Sequence, residues 1–237
     1  MKCLQHLEQL KILEFMNKTI EQFLLENEHK SWTPTSFPPN LWQSDWPWAP
    51  VSISVDQTKI ADELSKIEHF FVPHRDKDKI NSYGHEGWAA LTLHGLDYDK
   101  TENYDRYGHT DESKYRWTEV CDYCPYIVEL IKSLPFSSYG RVRIMKLSAG
   151  GYIMPHVDGP GRIFGPLNFA LTQPEGCRFV FKDVGTVPFK VGRGFMLDIG
   201  REHIVINESS EDRYHIIIHG RPTAAITNLI AESIKQL

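Results

Sequence analysis

The sequence has no long apolar run, no dense basic cluster and no internal repeat. Nothing in it approaches the about 18 consecutive apolar residues that mark a membrane-spanning helix. Lys and Arg number 26 against 31 Asp and Glu, a formal net charge of -5. They are nowhere dense enough to form a phosphate-binding stripe, so no nucleic-acid partner is expected. Cysteine is sparse: Cys3, Cys121, Cys124 and Cys177. Only Cys121 and Cys124 form a CxxC pair, and no two further ligands stand nearby at zinc spacing, His109 being an awkward partner. They read as reduced, partly buried cysteines ahead of Pro125, which suits the first turn of a helix.

What is present is ordinary for a soluble globular chain, 41% apolar and 24% charged over 237 residues. That length allows one domain with a substantial core. Near the N-terminus, Glu8, Lys11 and Glu14 interrupt the apolar stretch and break any signal-peptide core. Leu4, Leu7, Ile12, Phe15, Ile20 and Phe23 fall near helical spacing, which predicts an amphipathic helix and a cytoplasmic protein without membrane association.

Residues 31–50 hold five prolines and four tryptophans. Proline denies them a ladder or helix, and tryptophan makes a loose linker a poor reading. They read as an extended strap on the domain surface, with a partner-binding segment as the alternative. A strand is expected at 51–55, a helix at 56–70 capped by Asp56, a strand at 87–95, and a helix from Pro125 to Leu134. Between them, residues 96–117 carry Tyr98, Tyr104, Tyr107, Tyr115 and Trp117, a long loop of the kind that forms lids or binding walls.

After Gly140 the pattern changes. RVRIMKLSA, GYIMPHV, GPLNFALT, CRFVFKD, VPFKV, GFMLDIG, HIVINE and RYHIIIHG are short β-prone runs separated by turn residues. They predict a jelly roll or barrel-like double sheet. The expected organisation is an N-terminal helical and strap region over 1–135, a β core over 136–222 and a C-terminal helix over 223–237, as one domain.

GYIMPHVDGPG contains the first sign of chemistry. His156 and Asp158 are two residues apart and so project to one side of a strand. Alone, such a pair is weak. With one more histidine it completes the two-histidine, one-carboxylate facial triad of non-haem Fe(II) oxygenases, which leaves coordination positions open. His203, His215 and His219 are the candidates. Arg213 follows His203 by ten residues, and its planar fork suits a carboxylate held bidentately.

IMPHVDG, QPEG and GRGFMLDIGREHIVINESSEDRYHIIIHG resemble, in order, the pattern of the aspartyl/asparaginyl β-hydroxylase and proline hydroxylase family. The resemblance covers roughly residues 140–220. It implies a double-stranded β-helix of the cupin-like, jelly-roll type, mainly β with flanking helices. It implies Fe(II) held by His156, Asp158 and His203, and 2-oxoglutarate anchored at its distal carboxylate by Arg213. Asn168 falls where some members have a histidine that helps hold the co-substrate, and His215 shares a strand face with Arg213. The presence of Asp158 favours hydroxylation over halogenation.

The expected function is therefore an Fe(II)- and 2-oxoglutarate-dependent dioxygenase that uses O2 to hydroxylate an Asp-, Asn- or Pro-type side chain in a peptide or protein. The alternatives are hydroxylation of a free amino acid or small metabolite, a zinc hydrolase, and a non-catalytic cupin-like binding module. Arg141, Arg143, Arg162 and Arg178 are left open, to meet an acidic substrate or face solvent. Alternation places Arg141 and Arg143 on one face without saying which.

Overall fold

One bent strand organises the barrel. The computed structural model describes residues 2–34, 37–74, 84–101, 111–159, 161–162 and 164–236, with backbone alone for 2–13. Tyr104, Tyr107, His109 and the side chains of Leu4, Leu7 and Ile12 lie outside the described residues. In chain order the strands are β1 (Trp48–Ser52), β2 (Val72–Pro73), β3 (His85–Gly95), β4 (Arg116–Trp117), β5 (Phe136–His156), β6 (Phe164–Ala170), β7 (Cys177–Phe181), β8 (Gly185–Thr186), β9 (Arg193–Asp198), β10 (His203–Asn207) and β11 (Arg213–Pro222). The helices are α1 (Lys2–Asn27), α2 (Gln57–Ile67), α3 (Pro125–Ser133) and α4 (Ala224–Ile234).

RVRIMKLSA and GYIMPHV are not two strands but one, the 21-residue β5. Gly150 has φ 71°, and a Cβ on Gly151 would lie 2.7 Å from Ser148 O and 2.9 Å from Glu86 O. Only glycine passes there, and the strand bends. β3 runs along one edge of β5 from Val142 to Ile153. The other edge is shared, with β11 pairing Phe136–Leu147 and β10 pairing Tyr152–His156. The sheet therefore forks into two antiparallel arms, β5-β11-β6-β9-β1 and β5-β10-β7-β8. Two arms facing each other across a bent strand make the double-stranded β-helix, mainly β with flanking helices.

Alternation decides what each face buries. On β11, Ile216 and Ile218 pack outward with Val142 and Ile144 of β5 against Ile60, Ile67, Ile127, Ile131, Ile226 and Ile230 of the helices. Between the arms lie Trp48, Leu147, Phe179, Phe181, Phe195 and Val205. Phe23 and Leu24 of α1 cover Val180, Ile204 and Ile206 on the outside of the smaller arm. α2 begins at Asp56, whose carboxylate accepts from the Thr58 and Lys59 N–H groups. α3 has no side-chain cap of its own. Buried Glu63 of α2 accepts from the N–H groups of Tyr126 (2.7 Å) and Ile127 (2.9 Å) at the start of α3.

Several sequence expectations shift. β1 begins at Trp48, inside the proline-rich stretch, and Pro50 is tolerated because β1 is an edge strand. β1 and β3 add strands to the sheet itself rather than only covering it. VPFKV (187–191) is not a strand: Pro188 interrupts it, and Phe189 N–H turns back to Val187 O at 2.8 Å. Within the stretch 31–50 read as an extended strap, Leu41–Gln43 form a short 3-10 helix, and Trp32 stands edge-on to Trp46 (5.3 Å) and Trp48 (5.2 Å). Cys121 and Cys124 donate to Leu93 O and Val120 O, and burial raises both thiols, Cys121 to about 11. They are packing residues. Among the described residues no helix is long and apolar enough to cross a membrane.

Candidate active site

His156 ends β5 and His203 opens β10, and the two are direct register partners. Their ring centroids are 4.2 Å apart. Asp158 lies just past the strand, where its N–H donates to Ile199 O at 3.1 Å. That bond folds the carboxylate back over the two imidazoles. His156 Nε2 is 3.8 Å from Asp158 Oδ1, and His203 Nε2 is 4.0 Å from Asp158 Oδ2. One ligand atom from each of the three side chains lies within 4.8 Å of the others.

The histidine tautomers are set by the backbone. His156 Nδ1 is 2.8 Å from Met154 O, and His203 Nδ1 is 2.8 Å from Arg201 O. A carbonyl only accepts, so each Nδ1 carries the hydrogen and each Nε2 turns its lone pair to the centre. Burial also lowers the His203 pKa, which favours the neutral, ligating form. The turn that delivers His203 is held by Asp198, whose Oδ2 takes Arg201 Nε at 3.1 Å and Arg162 Nη1 at 3.3 Å. Two nitrogen donors and one carboxylate, with the remaining directions opening onto a cavity, fit Fe(II).

That cavity, of about 340 Å³, runs between the two arms. Arg213, 5% exposed, lines it at the start of β11. Its Nε has no hydrogen-bond partner, and among the described residues no carboxylate pairs with it. Burial pushes its pKa down to about 10, which leaves it charged at neutral pH. A buried unpaired charge costs several kcal/mol, so this position is suited to a ligand that brings its own carboxylate. Arg213 Nη2 lies 2.9 Å from His215 Nδ1, and Asn168 Oδ1 lies 2.8 Å from the same nitrogen. Phe189 covers the group, edge-on to His215 at 4.6 Å.

The fold thus brings together His156, Asp158 and His203, and it places Arg213, His215 and Asn168 on the wall of the same cavity. His219 also lines it rather than lying past it, because β11 continues with the same side inward. Of the four arginines left open, Arg141 and Arg143 face the cavity. Arg178 is on the outside with Glu28 and Glu208, and Arg162 belongs to the Asp198 cluster. Gln173 escaped notice as an individual residue. Its Oε1 faces His215 Nε2 at 2.9 Å, and its place in QPEG, directly after β6, was the available signal.

The model of the aspartyl/asparaginyl β-hydroxylase family matches residues 55–222. This reaches well upstream of the 140–220 window in which the motifs are visible, and takes in α2 and β3. No curated protein matches the chain. Among solved structures, a prolyl hydroxylase from Trichoplax adhaerens in complex with a hypoxia-inducible-factor peptide shows 11% identity and TM-score 0.48, over 95% of this chain and 96% of that one. A Pseudomonas putida prolyl-4-hydroxylase shows 13% identity and TM-score 0.43, over 76% and 95%. A viral collagen prolyl hydroxylase from Paramecium Bursaria Chlorella virus-1 shows 12% and 0.40, over 76% and 98%. These are remote likenesses of fold. The family match covers well over half of the sequence, and the chain belongs to the aspartyl/asparaginyl β-hydroxylase family, as an Fe(II)- and 2-oxoglutarate-dependent dioxygenase.

Proposed function

We propose that the chain hydroxylates an amino-acid side chain, of the Asp, Asn or Pro type, within a peptide or protein. In this reading His156, Asp158 and His203 hold Fe(II). Arg213 receives the distal carboxylate of 2-oxoglutarate, with His215 and Asn168 beside it. The observation that carries the reading is a single cavity holding both the converging metal group and a buried arginine without a carboxylate partner among the described residues.

With O2 and 2-oxoglutarate, bound Fe(II) supplies the oxidising chemistry, in which the co-substrate becomes succinate and CO2 and one oxygen atom enters a C–H bond. The chain's own residues orient and exclude. Met154 O and Arg201 O keep the imidazole lone pairs aimed at the metal position. His215 holds the Arg213 fork in line with the cavity. Leu147, Phe179 and Val205 dry the inner wall, which strengthens the charge pairing at Arg213.

A free amino acid is the second reading, and the cavity size favours it. About 340 Å³ is near the lower end for ligand pockets, and the co-substrate must share it. The test is substrate-stimulated succinate release with free amino acids and with a peptide pool, read with mass spectrometry for addition of one oxygen atom. Stimulation by peptides supports the first reading. Stimulation by a free amino acid alone replaces it with the second, and no stimulation by anything contradicts both.

A further inference from the structure

Asp198 turns away from the cavity that its neighbours line. Leu197 and Ile199 face inward, and alternation sends the side chain between them to the other side, where it is 3% exposed. Asp198 closes β9, and His203 opens β10. The four residues between them, Gly200 included, belong to no strand, so ladder pairing does not fix their place. Two of their carbonyls nevertheless meet the ligands. Ile199 O accepts the Asp158 N–H at 3.1 Å, and Arg201 O faces His203 Nδ1 at 2.8 Å. Where this turn sits decides where two of the three metal-binding side chains point.

The turn is braced by residues 45–47, within the proline- and tryptophan-rich stretch. Asp198 N–H donates to Pro47 O at 2.9 Å. Asp198 Oδ2 takes Arg201 Nε at 3.1 Å and Arg162 Nη1 at 3.3 Å. Each arginine also reaches a backbone carbonyl of the brace, Arg201 Nη2 to Asp45 O at 2.8 Å and Arg162 Nη1 to Trp46 O at 3.3 Å. Arg162 follows Asp158 by four residues on the same loop, with its guanidinium 4.6 Å from the Phe164 ring. The brace has a firm footing, because Leu41 and Trp46 are buried in the main core and Trp48 pairs with Leu197 of β9. One carboxylate thus ties together the loop that carries Asp158, the turn that carries both carbonyls, and a segment anchored in the core. Hydrogen bonds between ions are roughly twice as strong as neutral ones, so the charge of Asp198 stiffens the turn.

We propose that Asp198 is a positioning residue for the metal group, acting through the Ile199 and Arg201 carbonyls, with residues 45–47 as its brace. This rests on the assignment of His156, Asp158 and His203 as the metal ligands. Asp198 acts at one remove. It sets the direction of the His203 lone pair and the place of the Asp158 carboxylate, as the outer partners of metal ligands do. His156 is held separately, by Met154 O. Part of the stretch 31–50 then serves the site from within the molecule.

Co(II) binding tests this without turnover, because the visible absorption of bound Co(II) follows the geometry of its ligands. Co(II) affinity, that spectrum and the urea midpoint of the metal-free protein are read for the wild type, Asp198→Asn, Arg201→Met and a control, Glu63→Gln. Asp198→Asn keeps the volume and removes the charge. Glu63 caps α3 and does not line the cavity, so its loss is a purely structural one. Asp198→Asn is expected to bind Co(II) on the order of tenfold more weakly and to alter the spectrum of the bound ion. Arg201→Met should move both in the same direction. Glu63→Gln should lower the urea midpoint while binding Co(II) within about twofold of wild type, with an unchanged spectrum. Wild-type affinity and spectrum in Asp198→Asn overturn the proposal. Equal loss of Co(II) affinity in Glu63→Gln overturns it too, since the loss would then follow stability and not ligand placement. Where Asp198→Asn fails to fold, the half-exposed Arg201 decides, and wild-type affinity and spectrum in Arg201→Met overturn the proposal. A wild type that binds no Co(II) removes the metal assignment beneath it.

Discussion

Gln173 Oε1 lies 2.9 Å from His215 Nε2, and the direction of that bond is fixed from the far end of the amide. Gln173 Nε2 donates to Cys177 O at 2.8 Å. The oxygen then faces the imidazole and draws the His215 hydrogen to Nε2, which leaves the Nδ1 lone pair for Arg213 Nη2 and requires the Asn168 carboxamide, whose Oδ1 is placed 2.8 Å from Nδ1, to turn its Nδ2–H there instead. A backbone carbonyl on β7 thus sets the orientation of the buried arginine two side chains away. Burial first, and then Arg213, hold the His215 pKa well below its ordinary value, which suits a neutral acceptor.

Gln173→Glu should upset this relay at nearly constant volume. A carboxylate beside His215 favours the imidazolium, whose Nδ1–H would confront the Arg213 guanidinium. The KM for 2-oxoglutarate should rise on the order of tenfold, about 1.4 kcal/mol, with metal affinity unchanged. An unaltered KM would show that Arg213 keeps its orientation without Gln173.

Arg213→Ala should act on the co-substrate and spare the metal group. Removing one partner of a buried charge pair costs roughly 3–5 kcal/mol, on the order of a hundredfold or more in 2-oxoglutarate affinity. Titration calorimetry with the Zn(II)-loaded variant reads both quantities. Wild-type affinity for 2-oxoglutarate would move the anchor to another cation of the cavity.

His219 makes the acid limb of stability steeper. The unfolded chain takes up a proton at this side chain near pH 6.5, and the folded chain not until about pH 3. Across that window the unfolded state binds more protons, so stability falls as pH falls and is fully present above it. His219→Gln should flatten the decline between those limits, seen as a smaller spread of urea midpoints from pH 7 to pH 4. A profile parallel to wild type would mean that His219 already charges in the folded protein.

Much of this was legible in the sequence because strand chemistry has a period of two. His156 and Asp158 announce a shared face, and on β11 Arg213, His215, Ile217 and His219 share one face with Tyr214, Ile216 and Ile218 on the other. The spacing from His203 to Arg213 is readable because both stand at the start of consecutive strands, each antiparallel to β5, joined by a short turn. Alternation does not say which face is inward, so Arg141 and Arg143 were located only once β5 was seen to pair with β11. Nor does β-propensity reveal that Phe189 leaves the ladder to cover His215, or that Gly150 and Gly151 bend a strand instead of ending it. Gln173 acts through contacts at both ends of its amide, which are visible only in three dimensions.

The most direct measurement is anaerobic. Fe(II) and 2-oxoglutarate are added to the wild type and to His156→Ala, the visible charge-transfer absorption is recorded, and O2 is then admitted while succinate is counted. The wild type should develop the band and release succinate, and the variant should do neither. A wild type without the band, or a variant with wild-type succinate output after adventitious metal is excluded, would contradict the assignment of His156, Asp158 and His203 as the metal-binding group.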